Sequence, residues 1–247
     1  HPYPPTPDAQ ESRGLGDVYK RQVVIDTNGL GTITFAGHGG DSALGAVDDV
    51  MPTAYGESWD VMSEAIDNGS VTAAASTVFN SIGSAGSNNM LSYSNSDAMD
   101  GLKLTVSYVP SGTGEATSST DYAVEYTGFD GLTVGYGEGD VEQTTGTKSN
   151  ESTLFAKYTL GSATVGIQMS EKDNESASDV ETTGIGISYQ VNDDLAISYG
   201  SNTLEKVGST DQEATAIGVS YTMGSLGIAL SMNQVDNIAH SGSNDRE

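Results

Sequence analysis

Apolar and polar positions alternate along most of this chain. Leu102, Leu104, Val106 and Tyr108 alternate with Lys103, Thr105 and Ser107; Tyr122, Val124 and Tyr126 with Ala123 and Glu125; Ala163, Val165, Ile167 and Met169 with Thr164, Gly166 and Gln168. The same period returns at Leu154, Ala156 and Tyr158, at Ile185, Ile187 and Tyr189, and at Leu195, Ile197 and Tyr199. It returns again at Ile217, Val219 and Tyr221 and at Leu226, Ile228, Leu230 and Met232. A period of two puts the two sets on opposite faces of a β-strand. The apolar set carries no charge. The other set is mostly Gly, Ser, Thr and Ala, with an occasional Lys, Glu or Gln.

The segments come in pairs. Tyr93, Tyr126, Tyr158, Tyr189 and Tyr221 recur at spacings of 33, 32, 31 and 32 residues, each closing one segment shortly before the next begins. A fixed period of this size marks a repeated supersecondary unit, here a hairpin. Turns are expected near residues 97, 129, 161, 192 and 224. An earlier hairpin is expected over residues 23–37, where Asn28-Gly29 gives a strong turn signal. Six hairpins make twelve strands. On the side away from the tyrosines the connections are long and polar, at 109–120, 137–152, 170–182 and 200–214. They hold many of the acids, among them Glu171, Asp173, Glu175, Asp179 and Glu181. A longer polar stretch runs from about His38 to Asn88.

Composition narrows the class. The formal net charge is −25, from 34 acids against 9 bases, which disfavours nucleic acid as a partner. No apolar run approaches the ~20 residues of a membrane helix, which excludes a helical membrane protein and leaves strand-built ones open. Glycine, 31 of 247 residues, stands well above the usual ~7%. There is no Cys, so neither a disulfide framework nor a thiolate metal site can form. The first 22 residues lack any strand period and any apolar signal-peptide core. They resemble a read-through segment recurring at the ends of assembled environmental fragments, and they are set apart from residues 23–247 as a non-native or disordered leader.

Alternation alone leaves open which face is wet. In a soluble β-sandwich used for binding or adhesion, the apolar set would be the core. In a membrane barrel the apolar set faces lipid and the small set lines a lumen. Two features favour the barrel: tyrosine recurs at one level of every second strand, as an interfacial aromatic belt would, and the polar face is poor in large charged side chains. Short turns at one end with long loops at the other are also the pattern of outer-membrane barrels. The fold class expected is therefore all-β, an antiparallel up-and-down transmembrane β-barrel.

Three sets of residues carry a closer likeness. Leu30-Gly-Thr-Ile-Thr-Phe35 precedes an acidic loop; Pro52-Thr-Ala-Tyr55 follows; and tyrosine-containing hairpins such as Glu125-Tyr-Thr-Gly-Phe-Asp-Gly-Leu-Thr-Val-Gly-Tyr136 come after. In this order they resemble general bacterial porins of the alphaproteobacterial type over residues 23–247. That family has sixteen strands with a long inward-folded loop after the fifth. Counting hairpins places the first here as strands four and five and the last as fourteen and fifteen. About twelve of sixteen strands are then present, in a fragment truncated at both ends, with 38–88 as the constriction loop. The resemblance implies passive diffusion of small hydrophilic solutes and ions across the bacterial outer membrane, contact with its lipids, and a homotrimer. A non-conducting surface barrel is the other membrane reading.

Within the loop, Glu57, Asp60, Glu64 and Asp67 are spaced three, four and three, and Trp59, Met62 and Ile66 fall nearly opposite. This predicts a short amphipathic helix. Taken alone, the acidic stripe reads as a solvated helix face. In the porin reading it faces the pore with Asp48 and Asp49 upstream, concentrates cations and rejects anions. Lys103, Glu125 and Lys157 lie on the polar face and are the candidate lumen-wall residues. Tyr93, Tyr126, Tyr158, Tyr189 and Tyr221 form the candidate aromatic girdle. Acidic clusters also suit calcium, though no spacing matches an EF-hand loop; no other cofactor is indicated. The three His, at 1, 38 and 240, lie outside the five-hairpin ladder, and no nucleophile–base pair or phosphate loop is present, so no catalytic residue is assigned and an enzyme is not expected.

Overall fold

The computed structural model describes residues 21–58, 88–110, 118–142, 147–175, 179–240, 242 and 245. They form twelve strands: β1 (Arg21–Asp26), β2 (Thr32–His38), β3 (Met90–Met99), β4 (Leu102–Val109), β5 (Ser118–Phe129), β6 (Leu132–Glu142), β7 (Lys148–Leu160), β8 (Ala163–Asn174), β9 (Val180–Asn192), β10 (Leu195–Lys206), β11 (Gln212–Met223) and β12 (Leu226–Asp236). All lie in one sheet whose spatial order is the sequence order. Each strand runs antiparallel to the next, as hairpin-connected neighbours do. Among the described residues β1 and β12 do not pair, so this wall stands open along two edges.

Four tight turns fall where the alternation places them, closed by the pairs Phe129↔Leu132, Leu160↔Ala163, Asn192↔Leu195 and Met223↔Leu226. The β9–β10 turn uses Asn192, whose Oδ1 accepts the N–H groups of Asp194 at 2.9 Å and Leu195 at 3.0 Å. The first turn is displaced: the register slips between Asn95 and Met99, and the chain reverses at Asp100-Gly101, with Gly101 at φ 75°. β1 also starts earlier than expected, since Arg21 and Gln22 pair with His38 and Ala36.

On the other side the strands outrun their apolar pattern. Asp140 pairs with Asn150, and Glu171 with Glu181, so Glu171, Asp173 and Glu181 are strand residues while Glu175 and Asp179 connect β8 to β9. The backbone ladder continues because its hydrogen bonds do not depend on side-chain polarity. The connections shrink to about 110–117, 143–147, 175–179 and 207–211.

The two faces decide between sandwich and barrel. Ile185 is 53% exposed, Leu230 63% and Met232 75%, and Leu91, Val106, Tyr108, Val165, Ile167, Ile187, Ile197 and Ile228 are exposed as well. The small polar set is the covered one: Ser107, Ser119, Thr153, Gln168, Ser170 and Asn202 are all buried. A sandwich would bury the opposite set. An apolar belt this broad on the outer face is the pattern of a transmembrane barrel wall.

Two compact clusters lie on the covered face. One joins Ala43, Leu44, Val47 and Met51 to Ala123 and Phe155; the other is Ala36, Met90 and Val109. Beside the first, Glu151 of β7 stands opposite Lys172 of β8. Its carboxylate, 1% exposed, meets Lys172 Nζ at 2.5 Å. Removing one partner strands a buried charge, whereas replacing both with apolar groups does not. Lys172→Met should therefore lower unfolding free energy in detergent by about 3–5 kcal/mol, and adding Glu151→Leu should recover most of it. Urea titration followed by tryptophan fluorescence checks this; equal losses in the single and double variants would contradict it.

Candidate functional site

After β2 the chain turns inward. Gly39 N–H donates to Asn88 Oδ1 at 3.4 Å, which holds the two ends of the 39–88 stretch together. Ser42 then nucleates a turn, its Oγ accepting Gly45 N–H at 2.9 Å and its carbonyl accepting Ala46 N–H at 3.1 Å. From there residues 43–58 cross the covered face of the sheet from β4 to β12.

Strands β4, β8 and β12 contribute polar anchors. Ser107 Oγ of β4 accepts Ala43 N–H at 2.8 Å and donates to Asp121 Oδ2 of β5 at 2.6 Å. Gln168 of β8 holds the segment with both ends of its amide: Nε2 donates to Asp48 Oδ1 at 2.5 Å, and Oε1 accepts Val50 N–H at 3.1 Å. Asn233 Nδ2 of β12 donates to the carbonyls of Glu57 at 2.8 Å and Ser58 at 3.2 Å.

Between these anchors the segment rests on glycine. A Cβ at Gly137 would lie 2.7 Å from Val47 Cγ2, one at Gly166 2.7 Å from Pro52 Cδ, one at Gly186 2.9 Å from the same atom, and one at Gly218 2.9 Å from the Tyr55 carbonyl. These are glycines of the lumen set, and their missing side chains create the space the segment fills. The inward-folded loop predicted from the sequence is present over its described part.

The predicted site residues divide. Asp48 is buried under the segment, and Asp49 is exposed with φ at 55°. Glu57 is half-buried on the side toward β12. Asp60, Glu64 and Asp67, with the helix predicted around them, lie outside the described residues. Lys103 and Glu125 face each other across β4 and β5. Lys157 Nζ sits 5.5 Å from the centre of the Phe155 ring, within cation–π range. Tyr93, Tyr158, Tyr189 and Tyr221 are exposed on the outer face, and Tyr126 is half-buried beside Phe129, ring centres 5.6 Å apart. Tyr93 donates to the Leu30 carbonyl at 2.6 Å, at the short-turn end of β1 and β2.

The anchors Gln168, Asn233, Ser107 and Asp121 were not singled out by the sequence, nor was Phe155. Gln168, Asn202 and Asn233 stood out only as larger polar side chains on a face made mostly of Gly, Ser, Thr and Ala.

Electrostatically the stretch is one-signed. Residues 39–89 contain seven acids and no Lys or Arg. Burial pushes the Asp48 carboxyl up to about 7; Asp49 adds to the rise, and Glu151 more weakly, against hydrogen bonds from the Asp49 backbone and Gln168. Among the described residues no cluster of three or more His, Cys, Asp or Glu is placed to hold a metal ion.

An open up-and-down sheet with an apolar outer belt, its covered face crossed by an acidic loop, is the wall of a pore. Residues 16–247 match the family profile described as Gram-negative porin. The chain belongs to this family. Solved porins share its fold: an anion-selective porin from Comamonas acidovorans (14% identity, TM-score 0.60, covering 88% of this chain and 68% of that one) and Salmonella typhi OmpF in complex with daunomycin (15%, 0.57, 91% and 74%). OmpT expressed in the outer membrane of Vibrio cholerae is similar as well (19%, 0.58, 88% and 70%). A comparison with curated proteins found no match. This is thus an outer-membrane porin.

Two outcomes follow for the porin loop. Gly166→Ala puts a methyl into Pro52, so thermal unfolding in detergent should fall by the equivalent of about 1–3 kcal/mol. Gly227→Ala, where nothing lies within 4 Å, should leave it unchanged, and equal effects would contradict the seam. Asp48→Asn keeps an acceptor for Gln168 without the charge. Because the folded carboxyl titrates near 7 and the unfolded one near 4, the native carboxylate costs stability as pH rises through that window. In chelator-containing buffer the variant should melt above the wild type at about pH 8 and with it at about pH 4; a constant offset would contradict this assignment.

Proposed function

We propose that this porin lets small hydrophilic solutes and ions diffuse passively across the outer membrane, with a preference for cations, and that it acts as a channel and not as an enzyme. The observation that supports the reading is the described part of the loop, residues 39–58, seated on the lumen wall with four acids and no Lys or Arg; three more acids follow in the sequence by residue 67. Acids of one sign held over a low-dielectric wall raise the local cation concentration and repel anions. Asp48, Asp49, Glu57, Asp60, Glu64 and Asp67 form the constriction charge in this reading. Lys103 and Lys157 on the wall supply the opposite sign of a transverse field, moderated by Glu125.

The barrel itself carries no such sign. A fold neighbour is described as anion-selective, so selectivity has to come from the charges lining the passage. Tyr93, Tyr126, Tyr158, Tyr189 and Tyr221 act in this proposal as the girdle at the short-turn interface, with ring bodies in the apolar layer and hydroxyls at its edge. Three copies assemble as the family resemblance implies.

Planar-bilayer recording of the protein tests the reading. In a salt gradient the reversal potential should have the cation-selective sign, and Glu57→Gln/Asp60→Asn/Glu64→Gln should move it at least halfway to zero. Anion selectivity in the wild type, or no change in the triple variant, would overturn the assignment.

A further inference from the structure

We propose that Asn233 of β12 is a positioning residue for permeation: its side-chain amide, oriented by Ser231, fixes where Glu57 stands over the lumen wall and so sets how strongly that acid acts on passing ions. This rests on the proposed channel function with Glu57 among its charges, and on neither sign of selectivity.

The register of β11 and β12 prepares the seat. Asn233 stands beside Ala216, and Ser231 beside Gly218. A Cβ at Gly218 would come 2.9 Å from the Tyr55 carbonyl oxygen and 3.3 Å from the Tyr55 nitrogen, so the Tyr55 main chain lies directly on the wall there. Around that contact the chain turns. Thr53 Oγ1 accepts Tyr55 N–H at 3.1 Å and donates to the Gly56 carbonyl at 2.7 Å, with Gly56 at φ 63°. These bonds shape the turn from within. They do not tie it to the sheet.

Asn233 makes that tie. Its Nδ2 donates to the Glu57 carbonyl at 2.8 Å and to the Ser58 carbonyl at 3.2 Å. A carbonyl only accepts, so the amide nitrogen must face the segment and Oδ1 must face away. Ser231 Oγ donates to that Oδ1, which holds the amide in this orientation. Both N–H groups and the oxygen of the Asn233 amide are therefore committed. Two consecutive carbonyls gripped by one planar group leave the Glu57–Ser58 peptide little freedom to tilt. Leucine at this position would grip neither, and aspartate would set a carboxylate against both.

The consequence is electrostatic. Ser58 is 4% exposed and Glu57 is half-buried, so the grip acts at the boundary of the covered wall. Coulomb energy falls with distance and with the local dielectric, and a carboxylate that drifts from the wall into open water loses influence over ions on both counts. Asn233 is half-buried and Ser231 exposed, so water can replace the lost donors. Removing them costs the position of Glu57 more than it costs the fold.

The test is planar-bilayer recording of the full chain in a salt gradient, in the wild-type and Glu57→Gln backgrounds. Asn233→Leu should move the reversal potential in the same direction as Glu57→Gln and by a comparable amount. Added to Glu57→Gln, it should move it no further, because contacting residues that act through one charge are not additive. Ser231→Ala should give a smaller shift of the same kind, and its exposed site lets it report even if Asn233→Leu does not fold. No shift in either variant, or equal shifts in both backgrounds, would overturn the proposal; equal shifts mark a general loosening of the wall. An anion-selective wild type with coupled shifts would instead overturn the selectivity reading and leave the role of Asn233 standing.

Discussion

In a hydrocarbon layer a backbone N–H or C=O finds no partner in its solvent, so each strand must find both of its partners in neighbouring strands. The ladder that runs in chain order from β1 to β12 is that requirement met, and the rest of the structure depends on it. Because neighbours in space are neighbours in sequence, the sheet needs only short turns on one side. Because the period of the strand is two, a fixed register sends every second side chain outward. The usual burial rule is thereby inverted. Ile185 and Leu230 face out, while Ser107, Thr153 and Asn202 are covered.

What covers them is the chain itself. A lumen wall of small residues is a poor core, and residues 43–58 supply the missing apolar volume through Leu44, Val47 and Met51 packed against Ala123 and Phe155. The glycines at 137, 166 and 218 set how near that segment can come. Polar anchors set where along the wall it stops: Ser107, Gln168 and Asn233 bind main-chain groups that would otherwise be buried unpaired. The cost of this arrangement is charge in a covered place, borne at Glu151 by an ion pair with Lys172 and at Asp48 by a carboxyl shifted toward neutrality. A loop meant to carry acids into a passage cannot avoid desolvating some of them.

Much of this was legible in the residues, and the gaps have physical reasons. The tyrosine spacing located four of the five later turns, because a hairpin repeats its own length. It misplaced the first, because the slip between Asn95 and Met99 has no periodic signature. Strand ends past the apolar layer were hidden for a related reason: Asp140 and Asn150 pair through backbone alone. The loop was visible as a long acidic stretch, but its seating was not. Gln168 lies 120 positions from Asp48, and only the register of the whole sheet brings the two together. Phe155 stands between Thr153 and Lys157 on the lumen face of β7, and its burial becomes intelligible only once Leu44 and Val47 lie over it.

The same separation bears on selectivity. The fold is shared with an anion-selective porin at 14% identity, so most side chains can change while the ladder persists. That freedom follows from the inverted faces. Outward positions answer to lipid and turn positions to backbone geometry, but a lumen position answers only to the loop above it and the water beside it. Charge on the loop can therefore vary in sign without disturbing the wall, provided that the few glycines and amides beneath the loop are kept. Function in this fold is then concentrated in the residues least constrained by stability, apart from the anchors, where both demands fall on the same side chain. Gln168 is such a residue: it holds the loop by its carbonyl and the buried acid by its amide hydrogens, so it cannot be exchanged for an isostere that lacks either.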